Sequence, residues 1–273
     1  MAQQNGQTEN FTLRLGEQVV HVRQSGAGDG PPVVLVHGFG GSLTNWQLTQ
    51  QVLAANRRVI AFDLPGHGQS SPLSQRPTLA HLASMTRQIM AGLGVRKAHL
   101  VGHSLGGGIA LSLVGMAPQQ VASLSLLAPA GLGEDVNEAF ITSFVEADTV
   151  ADMAAAMAMA VYDPRLMSRK VAEFLVEARA APGAREALRA IAATCFPNGR
   201  QASNLRPVLH DLPCPAQIIW GEEDRVLPVQ QVRGVGTQVS CQCLPRTGHL
   251  PHIEQAGVVN TALKNFIRSC EQG

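Results

Sequence analysis

The 273-residue sequence is short of charge. Asp, Glu, Lys and Arg make up 15% of it, 21 basic residues balance 20 acidic ones, and the net charge is +1. Neither nucleic acid nor an anionic membrane is therefore expected as a partner, and a small molecule is. No apolar run reaches 18 residues, so no membrane span is expected; Met153–Val161 is far too short for one. Met1–Asn10 is polar and rich in Gln and Asn, with no basic stretch leading into an apolar one, and does not read as a signal peptide. The five cysteines (Cys195, Cys214, Cys241, Cys243 and Cys270) form no CxxC pair and no metal-ligand spacing. They read as free thiols in a reducing cytosol, and their odd number argues against a secreted disulfide framework, so a cytoplasmic location is expected. GxxxxGK[ST], a GxGxxG after the first parallel strand, and HExxH are also missing. No nucleotide, no other cofactor and no metal is expected.

What is present is an apolar chain, 45% hydrophobic, long enough to bury a large core in one α/β domain. Phe11–Leu15 and Gln18–Arg23 alternate and read as an antiparallel hairpin. Short apolar runs follow at Val33–Val36, Val59–Phe62, Ala98–Val101, Ser123–Leu127, Gln217–Trp220 and Val239–Leu244. Helical stretches separate them at Leu43–Ala54, Leu79–Gly92, Leu105–Met116, Val229–Val235 and Ala256–Cys270. Buried strands alternating with helices predict a mostly parallel eight-stranded sheet covered on both faces. One interval breaks the rhythm. Residues 131–207 carry no strand signal, and Asp148–Val161, Ser168–Ala180 and Gly183–Thr194 read as helices with prolines near their ends. This predicts a helical lid inserted after the sixth strand, between core segments 1–130 and 208–273.

The chemistry begins at Gly102-His103-Ser104-Leu105-Gly106, where a strand runs directly into a helix. A serine at such a turn projects its hydroxyl from the sheet, and the glycines remove side chains that would collide where strand and helix meet. A serine hydroxyl needs a base. His249, in Thr247-Gly248-His249 just past the last strand, is the candidate. His252 reads as the start of the final helix, and His103, beside the serine, as a packing residue pointing away from it. His37 and His67 read as structural hydrogen-bonders in turns. The base in turn needs an anion to fix its tautomer. Asp224, a short turn beyond the strand Gln217–Trp220, is the candidate; Glu222 and Glu223 are rivals by proximity but read as solvated turn residues.

His37-Gly38-Phe39-Gly40-Gly41, Asp63-Leu64-Pro65-Gly66-His67-Gly68, the Ser104 motif, Gly221-Glu222-Glu223-Asp224 and Gly248-His249 together resemble the α/β-hydrolase fold superfamily, in its order and over nearly the whole chain. Leu127-Ala128-Pro129-Ala130-Gly131-Leu132-Gly133 and Phe196-Pro197-Asn198-Gly199-Arg200-Gln201 carry a narrower likeness to the hydrolase-like domain of the acetoin dehydrogenase acetyltransferase component. The resemblance implies Ser104, Asp224 and His249 as a triad, the amides of Phe39 and Leu105 as oxyanion donors, and Asp63 as a structural turn residue. Acetyltransferases of that kind carry an N-terminal lipoyl domain. This chain begins within about 35 residues of the oxyanion loop, so a free-standing hydrolase of the same lineage is expected.

The expected function is hydrolysis of a small ester or thioester through an acyl-serine. Transfer of the acyl group to coenzyme A, carbon–carbon hydrolysis of dienoate ring-cleavage products, cofactor-free perhydrolysis and a non-catalytic ligand receptor on the same fold are the alternatives. Dehalogenation needs an aspartate where Ser104 stands. Phe140, Phe144, Met153 and Met157 are the candidate acyl-pocket residues, although methionine at helical spacing is more often core. Arg200 and Arg206, near the lid's end, read as surface charge rather than as anion ligands.

Overall fold

The computed structural model describes residues 8–73 and 75–272; the reading of the first seven residues as free of a signal peptide lies outside them. Eight strands form one sheet: β1 (Glu9–Leu15), β2 (Gln18–Ser25), β3 (Val33–Val36), β4 (Val59–Phe62), β5 (Ala98–His103), β6 (Val121–Leu127), β7 (Ala216–Gly221) and β8 (Val239–Leu244). Their order is β1-β2-β4-β3-β5-β6-β7-β8. The hairpin β1–β2 and the β2–β4 pair are antiparallel, and all other pairs are parallel. The expected mostly parallel eight-stranded sheet is what the chain forms.

The helices are α1 (Gln47–Leu53), α2 (Leu79–Gly92), α3 (Leu105–Met116), α4 (Glu138–Glu146), α5 (Val150–Ala158), α6 (Arg169–Arg179), α7 (Ala184–Cys195), α8 (Arg206–His210), α9 (Pro251–Glu254) and α10 (Ala256–Gln272). The two-residue period of the strands divides the core in two. Val33, Leu35, Val101, Leu127 and Ile219 pack with Trp46, Leu53, Leu263 and Ile267, from the chain entering α1 and from α1 and α10. Val34, Val36, Leu100, Leu126 and Ile218 face the other way, toward Leu82, Ile89, Ile109 and Leu113 of α2 and α3. No helix among the described residues is long and apolar enough to cross a membrane.

Five helices, α4–α8, lie between β6 and β7. The sequence reading missed the first of them, although Asn137 caps it by accepting from Phe140 N at 3.0 Å. It also missed α8. The helix expected over Val229–Val235 is only a 3₁₀ turn, Val229–Val232, because Arg233 already takes extended backbone and Gly234 follows with φ 72°. Leu43–Ala54 begins as a 3₁₀ turn under a Ser42 capping box before α1 continues it. His252 lies in the separate turn α9 rather than opening the final helix.

Candidate active site

Strand β5 ends at a backbone found nowhere in a regular element. Ser104 has φ 53° and ψ −119°, a conformation that costs an L-residue about 1–3 kcal/mol and persists only when its surroundings hold it. They do so from both sides. Ser104 N donates to Leu127 O at 2.9 Å, and Ser104 O accepts from Gly108 N at 3.1 Å and Ala130 N at 3.0 Å. The following turn of α3 presses so closely on β3 that a Cβ at Gly106 would sit 2.2 Å from Val36 O. Only glycine fits there.

The β7 and β8 loops meet with the same closeness. A Cβ on Gly221 would lie 2.1 Å from Gly248 O, the residue before His249. This contact brings His249 Nδ1 within 2.7 Å of Asp224 Oδ2, with both side chains buried. Asp224 has every lone pair occupied: Oδ1 accepts from Val226 N at 2.8 Å and Leu227 N at 2.9 Å, and Oδ2 accepts from His249 and from Trp220 Nε1 at 2.9 Å. Neither rival acid touches His249. Glu223 accepts from Thr247 N at 2.9 Å and so pins the loop, while Glu222 is exposed.

Three contributors had no sequence signal of their own. Trp220 is the first. Glu254 is the second: its carboxylate accepts from Gly248 N and Leu250 N, the amides flanking His249, and from Tyr162 N in the helical insert. His103 is the third: it is the buried packing residue expected, with its ring against His252, but it also donates from Nε2 to His249 O at 2.7 Å, a role the sequence reading did not give it. The insert is stitched to the same loops, since His249 N donates to Ala160 O at 2.8 Å and Arg225 donates to Ala158 O and Val161 O.

Directly beside Ser104, where a Cβ on Gly38 would lie 3.1 Å from the serine Cβ, the loop His37–Gly41 is held by neutral imidazoles. His37 donates from Nδ1 to Gly38 O and accepts from Leu64 N; His67 accepts from Gly40 N and donates to Pro65 O. Asp63 accepts from Leu43 N, Gln69 N and His21, which satisfies the turn role expected of it. The amides of Phe39 and Leu105 have no acceptor among the described residues.

Ser104, His249 and Phe39 line one cavity of about 460 Å³, together with Phe140, Phe144 and Met157 of the insert. Its size suits a small organic ligand. Met153 is the exception among the expected pocket residues. It is fully buried in the core between the helices of the insert, because its turn of α5 faces inward while Met157, one turn on, reaches the cavity. Arg200 pairs with Glu134, and Arg206 donates to Leu132 O and Gln231 O; neither lines the cavity. Among the described residues no group of three or more His, Cys, Asp or Glu is placed to hold a metal.

Burial lowers the pKa of His37 to about 4 and of His252 to about 3, and burial together with the neighbouring His37 lowers His67 to about 3. In the unfolded chain these imidazoles protonate near pH 6.5. The unfolded state therefore binds more protons from pH 6.5 down to those values. The stabilisation is complete above pH 6.5 and lost on acidification, at about 1.4 kcal/mol per histidine per pH unit. Urea midpoints are expected to fall steeply between pH 7 and pH 5. The His252→Phe variant should flatten that slope, since neither ring nitrogen of His252 has a partner to lose. Level midpoints over that range would contradict this account.

The profile of the alpha/beta hydrolase fold matches residues 31–256. The chain belongs to that family. This α/β-hydrolase is 40% identical over 254 residues to the dihydrolipoyllysine-residue acetyltransferase component of the acetoin cleaving system of Pseudomonas putida, covering 93% of this chain and 68% of the relative. That match bears out the narrower likeness read in the sequence. It is 28% identical to the 2-hydroxymuconate semialdehyde hydrolase of Pseudomonas sp. strain CF600, over 90% of this chain and 89% of that one. The solved structure of a meta-cleavage product hydrolase from Pseudomonas fluorescens IP01 superposes with a TM-score of 0.85 at 26% identity, covering 95% of this chain and 97% of the other. Family and neighbours together support an enzyme.

Proposed function

We propose that the chain is a serine hydrolase of carboxylesterase-like chemistry, acting on a small ester or thioester. Ser104 Oγ attacks the carbonyl carbon while His249 Nε2 takes the hydroxyl proton, and Asp224 holds the resulting imidazolium. The tetrahedral oxyanion accepts from the Phe39 and Leu105 amides. His249 then returns the proton to the departing alkoxide or thiolate, leaving an acyl-serine. Water, deprotonated by the same histidine, attacks that acyl group and releases the acid and Ser104. The observation that carries this reading is the 2.7 Å contact of His249 with a four-fold hydrogen-bonded Asp224, beside a serine held at φ 53° in the same cavity. In this scheme the helical insert acts as a lid, and its phenylalanines receive the acyl chain.

Incubation with a fluorophosphonate, followed by mass spectrometry of the digested protein, is expected to give one adduct, on the peptide containing Ser104. A panel of p-nitrophenyl esters of increasing chain length should turn over in parallel. No adduct and no turnover would remove the assignment.

Two alternative reactions at the same site have support of their own. The 40% identity to an acetyltransferase component favours delivery of the acyl group to a thiol in place of water. Product analysis with and without coenzyme A separates the two. The likeness to meta-cleavage product hydrolases along nearly the full length of both chains favours carbon–carbon cleavage of a dienoate; bleaching of such a coloured substrate would identify it.

A further inference from the structure

The cavity beside Ser104 is walled mainly by apolar side chains, with Phe39, Phe140, Phe144, Phe174 and Phe196 prominent, and no aspartate or glutamate lines it. Histidines aside, one ionisable side chain does: Lys170, exposed in the first turn of α6. The other basic residues of the insert are all engaged. Five arginines are ion-paired with carboxylates. Arg179 and Arg206 donate to main-chain carbonyls instead. Glu173, the acid one turn from Lys170, is held by Arg169 at 2.7 Å. Among the described residues Lys170 is thus the insert's one cation without a partner, and it stands at the one cavity that contains the serine. Val171 and Phe174 beside it are exposed apolar residues of the same rim.

A cation at the rim of an apolar, carboxylate-free wall has no ion-pair partner among the described residues, and its field is least screened toward the low-dielectric interior of the cavity. We propose that Lys170 is a specificity-determining residue that recognises an anionic group, carboxylate or phosphate, on the part of the substrate remote from the scissile carbonyl. The proposal rests on the acyl-serine reading and names the substrate class of that site. The apolar wall takes the intervening hydrocarbon, and the lysine takes its charged end.

The test compares kcat/KM for three p-nitrophenyl esters of matched length: a neutral acyl chain, the same chain ending in a carboxylate, and one ending in a phosphate. In Lys170→Ala the ratio of charged to neutral substrate is expected to fall about fivefold, and in Lys170→Glu about twentyfold, with Lys170→Arg restoring it. The wild-type ratio should also decline with added salt. Loss on both charged substrates assigns a general anion site; loss on one identifies its group. Unchanged ratios in both Lys170→Ala and Lys170→Glu overturn the proposal. Titration calorimetry with adipate and with hexanoate supplies a readout free of turnover. Adipate should bind the wild type more tightly than hexanoate does, and Lys170→Glu should abolish that difference. If no ester is turned over while the calorimetric difference holds, the acyl-serine reading fails and the anion site stands. If turnover is normal and the difference is absent, the anion site fails alone.

Discussion

Ser104→Ala is expected to lower kcat on a p-nitrophenyl ester by about 10⁴- to 10⁶-fold while leaving the protein folded. The loss is large because the hydroxyl oxygen is the atom that forms the covalent bond, and His249 and the oxyanion donors have nothing to act on without it. Some acceleration over water should survive, since the Phe39 and Leu105 amides still favour a tetrahedral oxyanion. The fold is expected to tolerate the change for reasons already in the geometry. The Ser104 side chain caps no helix amide and faces the cavity. The contacts that hold the strained backbone, to Leu127 O, Gly108 N and Ala130 N, are all main-chain. Alanine keeps the Cβ and meets the same cost at φ 53°, so the urea midpoint should move little. Substantial turnover in a correctly folded variant would mean that another residue carries the chemistry. Fluorophosphonate labelling of the variant at any other serine would identify it.

How much of this arrangement could be read from the residues depended on whether the information was local. The nucleophile turn was legible because its constraint lies within five residues: Gly106 must lack a Cβ, and the spacing says so. The parallel sheet was legible because runs such as Val33–Val36 are too apolar for a strand with a wet face, and the structure buries all four of them. The other members of the proposed triad were legible from their place after strands, where loops converge. Their support was not. Trp220 reads as an ordinary core aromatic, and its role arises only because the loop after β7 folds back to bring Asp224 Oδ2 to its indole. Glu254 reads as a surface acid five residues past His249; its function depends on the insert arriving at Tyr162. Met153 and Met157 are indistinguishable by composition and spacing. They share one face of α5, and which of them reaches the cavity was decided by position along the helix axis: the turn with Met153 packs into the core and the next turn meets the cavity. In α4, the capping Asn137 was visible, but a nine-residue helix packing against other helices has too few turns for its period to stand out.

Asp224→Asn should cost nearly as much as removing the serine, about 10⁴-fold in kcat, although it exchanges one oxygen for one nitrogen. The carboxylate is surrounded wholly by donors: two backbone amides on Oδ1, and an indole N–H and an imidazole on Oδ2. An asparagine amide has one accepting end and one donating end. With its NH₂ at the Oδ2 position it opposes Trp220 Nε1–H, and His249 can keep a hydrogen bond only by moving its proton from Nδ1 to Nε2. The nitrogen that must receive the Ser104 proton is then already protonated. With the NH₂ turned the other way, it faces the amides of Val226 and Leu227 and leaves buried donors unmatched, at about 1–3 kcal/mol. Neither orientation preserves both the tautomer and the loop. The variant is therefore expected to be slower and also less stable, whereas the Ser104→Ala change affects rate alone. Trp220→Phe separates the two contributions of Asp224's environment: it costs stability by itself, through a cavity and an unpaired Leu227 O, but it removes the N–H that clashes in the Asn variant, so the two stability losses should combine to less than their sum, with no recovery of rate. Comparable kcat in Asp224→Asn and wild type would show that His249 holds its tautomer without this carboxylate.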